Sequence, residues 1–229
     1  MDNLRIIDGN IFTTQCQTIV NTVNCVGVMG AGIAFEFKLR LPEMFNRYTE
    51  LCSKKALDIG KLWLYRDSTP WVLNFPTKRH WKMPSRESYL HAGLEKFTSS
   101  HQLCGIKSIA FPLLGASKGG ISPDKSLDIM INHLAKCEIP VEIYRHDPMA
   151  DDDLFQAFRK NLLETDHNQL KADMGIRSDR LKLLIDAVSC GEYRQMNQLI
   201  QVPGIGQSTL EKAFKLVQVP AYSQTGFNF

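Results

Sequence analysis

No run of apolar residues in this chain approaches the roughly 18 that a membrane-spanning helix needs. The opening residues Met1-Asp2-Asn3-Leu4-Arg5 lack the apolar centre of a secretory signal. A cytoplasmic location without membrane contact is the expectation. There is no C-x-x-C pair: Cys16, Cys25, Cys52, Cys104, Cys137 and Cys190 are scattered, which argues against a zinc ribbon or a disulfide framework and leaves buried thiols. The six histidines show no H-E-x-x-H or other ligand spacing, so no metal is expected. Strong charge of either sign is also missing. Residues 1–150 carry 18 Lys and Arg against 14 Asp and Glu, and the remainder 9 against 10, a balance too even to identify a nucleic-acid partner by itself. No internal repeat or low-complexity tract stands out.

What is present is ordinary for a soluble globular chain: 229 residues, 44% hydrophobic and 22% charged, enough for one good-sized domain and a small one. Strand-like runs at 4–7, 18–20, 61–65, 71–75, 106–111 and 141–145 alternate with helical stretches at 33–41, 42–54, 86–99 and 124–136. The 61–65 and 71–75 runs read as a hairpin at a sheet edge, Ser85 as the cap of the helix after it, and Ser122-Pro123 as a helix start. Alternation of this kind predicts a layered α/β domain with a largely parallel sheet, its ligands at the carboxyl ends of the strands. Beyond about residue 149 no strand signal remains, and helical patterns at 154–163, 177–189, 193–201 and 210–217 predict a small all-α domain over 150–229, fraying from Pro220.

Three stretches carry chemistry. In Ile19-Val20-Asn21-Thr22-Val23-Asn24-Cys25-Val26-Gly27-Val28-Met29-Gly30-Ala31-Gly32-Ile33-Ala34 a buried strand hands over, through a polar turn and three glycines, to a helix N-terminus. Such a junction offers free N–H groups to an anion, or it is a structural turn. The order G-x-x-G-x-G is the reverse of the dinucleotide fingerprint, and no acidic residue completes that fingerprint, which argues against a nicotinamide dehydrogenase. Asn21 and Asn24 either bond a ligand or cap the turn. Next, Pro76-Thr77-Lys78-Arg79-His80-Trp81-Lys82-Met83 is a cationic, aromatic loop. Lys78 there is either a solvated phosphate contact or an amine whose charge is disfavoured by Arg79, His80 and Lys82. Last, Pro112-Leu113-Leu114-Gly115-Ala116-Ser117-Lys118-Gly119-Gly120 is a second glycine loop at a strand end.

The two glycine loops in this order resemble the macrodomain family over residues 1–147, and the resemblance implies a three-layer α/β domain that binds ADP-ribose between them. Within the family, Asn74-Phe75-Pro76-Thr77-Lys78-Arg79-His80-Trp81 and Asn21-Thr22-Val23-Asn24 look like the DNA ADP-ribosyl glycohydrolase (DarG antitoxin) branch. That branch implies removal of ADP-ribose from a nucleobase with Lys78 as the catalytic residue and no cofactor. Protein-directed relatives place an acidic residue in the second loop, whereas this chain has Lys118-Gly119-Gly120. By the same resemblance ADP-ribose would meet Asn10 and Ile11 near adenine, where the family often has an aspartate. Asn21 and Asn24 would meet the distal ribose, Gly30, Ala31 and Gly32 with Gly115, Ala116, Ser117, Lys118, Gly119 and Gly120 the pyrophosphate, and Val28, Met29, Ile33 and Leu114 would also contact ADP-ribose. Arg79, His80 and Trp81 would face nucleic acid. The tail around Val202-Pro203-Gly204-Ile205-Gly206 resembles a helix-hairpin-helix, in which Gly204, Gly206 and Lys212 would meet phosphates, with a plain helical turn as the alternative. A DarT-like DNA ADP-ribosyltransferase toxin is the implied counterpart, although the tail does not match the domain with which DarG neutralises its toxin. A monomer is expected. Non-catalytic ADP-ribose binding, or hydrolysis on protein or RNA, remain the alternative activities.

Overall fold

The computed structural model describes residues 3–217, so the fraying expected from Pro220 lies outside the described residues. The chain divides into two compact units, 1–147 and 148–229. The first is a six-stranded sheet in the order β1-β6-β5-β2-β4-β3, with β1 (Leu4–Gly9), β2 (Thr18–Asn24), β3 (Trp63–Tyr65), β4 (Trp71–Lys78), β5 (Ile109–Pro112) and β6 (Val141–His146). All pairings are parallel except β3 with β4, the expected edge hairpin. Parallel strands need crossovers, and helices cover both faces.

On one face, α1 (Gly32–Arg40) and α2 (Pro42–Ser53) pack through Ala34, Phe37, Met44 and Tyr48 onto Ile19, Val23, Val72 and Ala110. On the other, α3 (Glu87–Ser100) and α4 (Pro123–Leu134) pack through Leu90, Leu94, Phe97, Ile129 and Met130 onto Val20, Leu73, Phe75, Ile109 and Phe111. Adjacent residues of β4 and β5 thus serve opposite cores, the period-two alternation of a strand covered on both sides. The three-layer expectation holds.

Several local expectations change. β2 continues through Asn24, so Asn21 and Asn24 are strand residues rather than a turn. β4 runs through Pro76 to Lys78. Proline is tolerated there because β3 pairs only as far as Asn74, leaving that side of β4 an open edge. Ser85 does not cap α3: the cap position is Arg86, with no side-chain bond, because the Ser85 N–H donates to Gly119 O at 2.9 Å. β5 begins at Ile109, three residues later than its apolar run, and Ser108 Oγ instead accepts from Gln17 N–H at 2.8 Å.

The second unit contains α5 (Phe155–Glu164), α6 (His167–Met174), α7 (Ser178–Ser189) and α8 (Gln207–Val217). The helix expected at 193–201 is a 3₁₀ segment at Met196–Gln201. α6 was not expected, its sequence being short and polar. With α6 in place a repeat becomes visible: residues 175, 176, 181, 184 and 188 correspond at constant spacing to 204, 205, 210, 213 and 217. Gly175 and Gly204 both have positive φ, at 56° and 91°, and Leu181, Leu184 and Val188 are buried as are Leu210, Ala213 and Val217. The motif is therefore a pair of helix-turn-helix hairpins, α6–α7 and the one leading into α8.

Two outcomes test the first unit's packing. A Cβ on Gly93 of α3 would lie 2.1 Å from Phe75 Cζ, so Gly93→Ala should cost about 1–3 kcal/mol in chemical denaturation. His91 Nδ1 and His133 Nε2 lie 2.9 Å apart between α3 and α4. Burial first, then the neighbouring His91, holds His133 below its ordinary pKa. The folded protein thus resists protonation more than the unfolded chain does. Stability should be full above pH of about 6.5 and decline as pH falls through that value, with His133→Gln flattening that part of the melting-temperature profile.

Candidate functional site

β2 is central, and the loops after it and after β5 meet at the carboxyl end of the sheet. A Cβ on Gly32 would lie 4.0 Å from Lys118 Cγ, so the first glycine loop and the second face each other at that point. Asn24, at the end of β2, organises the first loop. Its Oδ1 accepts from Val26 N–H at 3.0 Å and Val28 N–H at 3.4 Å, and its Nδ2 donates to Val28 O at 2.5 Å. Tyr48 of α2 donates its hydroxyl to Asn24 O at 2.8 Å and to Oδ1 at 3.2 Å. Asn24 therefore shapes the loop in this structure, the capping alternative. Gly27 and Gly32 hold φ of +80° and +59°, a region that side chains enter only at a cost. α1 starts at Gly32 with no side-chain cap at Ala31, and Gly30, Ala31 and Gly32 are exposed. The first-turn N–H groups of a helix have no intrahelical partner, so this end suits an anion.

The second loop folds on itself. Gly119, Gly120 and Ile121 donate their N–H groups to Ala116, Ser117 and Gly115 carbonyls at 2.9, 3.2 and 3.1 Å. Of the expected phosphate cradle over 115–120, the N–H groups of Gly119 and Gly120 are thus engaged within the loop itself. Ser117 and Gly120 are left-handed, at φ +50° and +84°. Leu114 lies beneath: it is fully buried, its carbonyl accepts from Ser126 Oγ at 2.7 Å and its N–H donates to Met130 Sδ at 3.5 Å.

Lys78 reaches this loop from β4. The β2–β4 register slips after Val23, so that Asn24 lies opposite Lys78 instead of Thr77. A slip of this kind re-aims the side chains beyond it. Lys78 Nζ donates to Lys118 O, which puts the amine against the second loop. Its pKa lies below that of an ordinary lysine because burial penalises the ammonium. The like-charge explanation does not hold. Arg79 turns to Asp58 at 3.1 Å, and Lys82 sits 5.0 Å over the Trp81 ring. His80 stacks on Trp81 at 5.8 Å, and Trp81 remains 48% exposed, giving a cationic, aromatic rim beside Lys78.

The residues expected near adenine are at the end of β1. Asn10 is buried and its Oδ1 caps a 3₁₀ turn by accepting from Phe12 N–H at 3.1 Å, while its Nδ2 has no partner. Ile11 is packed in the α1 core. Asn21 is fully buried and donates to Asn74 Oδ1 at 2.9 Å. Sequence reasoning missed Asn74, Tyr48, Asp58 and Ser85; the equal register of Asn21 and Asn74 on neighbouring strands was the one signal available for Asn74, and only a strand alignment exposes it. In the second unit, Lys212 does not stand free at its turn: it donates to Gly175 O at 2.5 Å, and Arg180 donates to Gly204 O.

The Macro domain family model matches residues 20–130. The DNA ADP-ribosyl transferase-DNA ADP-ribosyl glycohydrolase fusion protein of Thermosipho africanus is 35% identical over 161 residues, 62% of this chain and 42% of the relative. Among solved structures, the macrodomain of Mycobacterium tuberculosis DarG is 34% identical, with a TM-score of 0.59 over 62% of this chain and 96% of that one. Thermosipho africanus DarTG in complex with ADP-ribose is 37% identical, with a TM-score of 0.61 over 64% of this chain and 42% of that one. The chain thus spans about 42% of the length of the curated relative. Because Tyr48 holds the loop through Asn24, Tyr48→Phe should cost about 1 kcal/mol and raise amide hydrogen exchange at Val26 and Val28, read by mass spectrometry or NMR.

Proposed function

The chain belongs to the macrodomain family, and from that premise we propose that it is a DNA ADP-ribosyl glycohydrolase in which Lys78 is the catalytic residue. The observation that carries this reading is the position of Lys78: a half-buried amine with a depressed pKa, set against the backbone of the second glycine loop. The loops receive the pyrophosphate, the first through the N-terminus of α1 and the second through Ala116–Lys118. The distal ribose then lies where an amine can reach C1″.

The chemistry follows from the bond. The C1″–N link to a base breaks through an oxocarbenium-like centre. Neutral Lys78 attacks C1″ with its lone pair, the bond to the base breaks, and the base leaves with those electrons and takes up a proton. The alkylated amine gives up a proton, the C1″–O4″ bond breaks with its electron pair going to the oxygen, which takes up a proton, and a C1″=N iminium forms; water adds to C1″ and expels the amine, returning the aldehyde form of ADP-ribose and neutral Lys78. The depressed pKa supports this because only the neutral amine attacks. No carboxylate of the second loop is available as a general base, its residues being Gly115-Ala116-Ser117-Lys118-Gly119-Gly120.

Nucleic acid as the carrier is supported by Trp81, exposed beside His80, Arg79 and Lys82, a composition that stacks bases and meets phosphates. To the second unit we ascribe sequence-independent phosphate contacts through the turn at Gly204 and Gly206. Both glycines are exposed, although Lys212, engaged by Gly175, is withdrawn from that role. A DarT-like transferase is the proposed source of the substrate, in keeping with the fused relative.

Incubating ADP-ribosylated single-stranded oligonucleotide with the wild type should release ADP-ribose, and Lys78→Ala should lower the rate by roughly two orders of magnitude or more while ADP-ribose still binds in calorimetry. Binding with no release by the wild type from DNA, RNA or protein would establish a non-catalytic reader instead. The single-turnover rate should rise with pH through the lowered pKa of Lys78 and level off below the pH of about 10.4 at which an ordinary lysine titrates.

A further inference from the structure

Lys78 is the last residue of β4, and one residue of the first loop meets the backbone there twice. Cys25, which follows Asn24 at the end of β2, donates its N–H to Arg79 O at 3.3 Å and its thiol to Lys78 O at 3.3 Å. Successive carbonyls of an extended strand point to opposite sides. Two neighbouring carbonyls that both face Cys25 therefore mark the place where the chain leaves the sheet. That place follows directly on the register slip between Val23 and Asn24. The backbone of Lys78 is thus tied to the first loop, while its amine lies against Lys118 O of the second.

The thiol has one proton to give and two acceptors near it. Asp58 Oδ1 is the farther, at 3.9 Å, and it already accepts from Ile59 N–H at 2.8 Å and from Arg79 at 3.1 Å. Lys78 O, at 3.3 Å, is the nearer and takes the proton. Burial first, then the Asp58 carboxylate, pushes the thiol up to about 11. At neutral pH it is S–H, a donor rather than a nucleophile. A lysine carries its amine on a flexible four-carbon stem, so where Nζ arrives depends on where the backbone is fixed. We propose that Cys25 is a positioning residue for Lys78: its side chain fixes the end of β4 from the first loop and so sets the point from which the amine reaches into the cleft. The proposal rests on Lys78 being the catalytic residue. Cys25 touches no reacting atom and acts through the backbone of Lys78.

Threonine and valine have nearly the same shape and differ by a hydroxyl against a methyl, so at position 25 they separate donation from packing. The measurement is single-turnover release of ADP-ribose from saturating ADP-ribosylated single-stranded oligonucleotide by the full chain, beside ADP-ribose affinity in calorimetry and melting temperature. Cys25→Val should be about 5-fold slower than wild type, the loss of one modest hydrogen bond, with ADP-ribose affinity held within about 2-fold. Cys25→Thr should bring the rate back to within about 2-fold of wild type, because the hydroxyl donates again. Cys25→Ser against Cys25→Ala repeats the comparison in smaller side chains and decides the matter if a branched one unfolds the chain. A wild-type rate in Cys25→Val, equal rates in Cys25→Val and Cys25→Thr, or a loss of affinity as large as the loss of rate would overturn the positioning role and leave the Lys78 reading standing. Release by Lys78→Ala as fast as by wild type, or none by the wild type, would overturn both.

Discussion

The hydrogen bonds gathered by Asn24 are the constraint on which the carboxyl end of the sheet depends. One side chain at the end of β2 accepts two loop N–H groups and donates to a loop carbonyl, and Tyr48 steadies it from α2. The loop thereby satisfies itself through a single residue at its base, and the start of α1 is left exposed toward the second loop. The hydroxyl of Tyr48 titrates well above the ordinary tyrosine range, chiefly because it is buried, so this support stays protonated and donating at any working pH.

Burial also decides the character of Lys78. The residues around it in sequence are cationic, but their charges are engaged elsewhere: Arg79 lies between Asp58 and the Tyr89 ring, and Lys82 over Trp81. The amine is shifted by desolvation, and the cationic side chains beside it stay at the surface. The lowered pKa of Lys78 thus owes nothing to its cationic neighbours in sequence, whose charges stay on the rim.

The sequence disclosed the layers, the edge hairpin and both glycine loops, because strand and helix periodicities and glycine placement are local signals. It also singled out Lys78. It misplaced that residue in a loop because Pro76 reads as a strand breaker, and only the pairing pattern shows that β4 has an open edge at that point. For Asn24 the sequence left ligand contact and turn capping both open; the bonds to Val26 and Val28 are the local capping pattern, and only Tyr48, 24 residues away, had no local signal. Ser85 looked like a cap because serine precedes a helix, yet Gly119, far along the chain, claims its backbone. Asn74 lay inside an apolar strand with no local clue to its partner. The repeated hairpin escaped notice because its two copies share a glycine, an isoleucine and a spacing of buried positions, and little else.

In the second unit the two hairpins are bolted to each other crosswise. Arg180, from the helix after the first turn, binds the carbonyl of Gly204 in the second, and Lys212, from the helix after the second turn, binds the carbonyl of Gly175 in the first. Each half thus supplies the cation that closes the other's turn. Neither turn takes this bond from its own helix; each takes it from the helix of the other hairpin. Separating the halves would therefore leave each turn's carbonyl without the cation that meets it here.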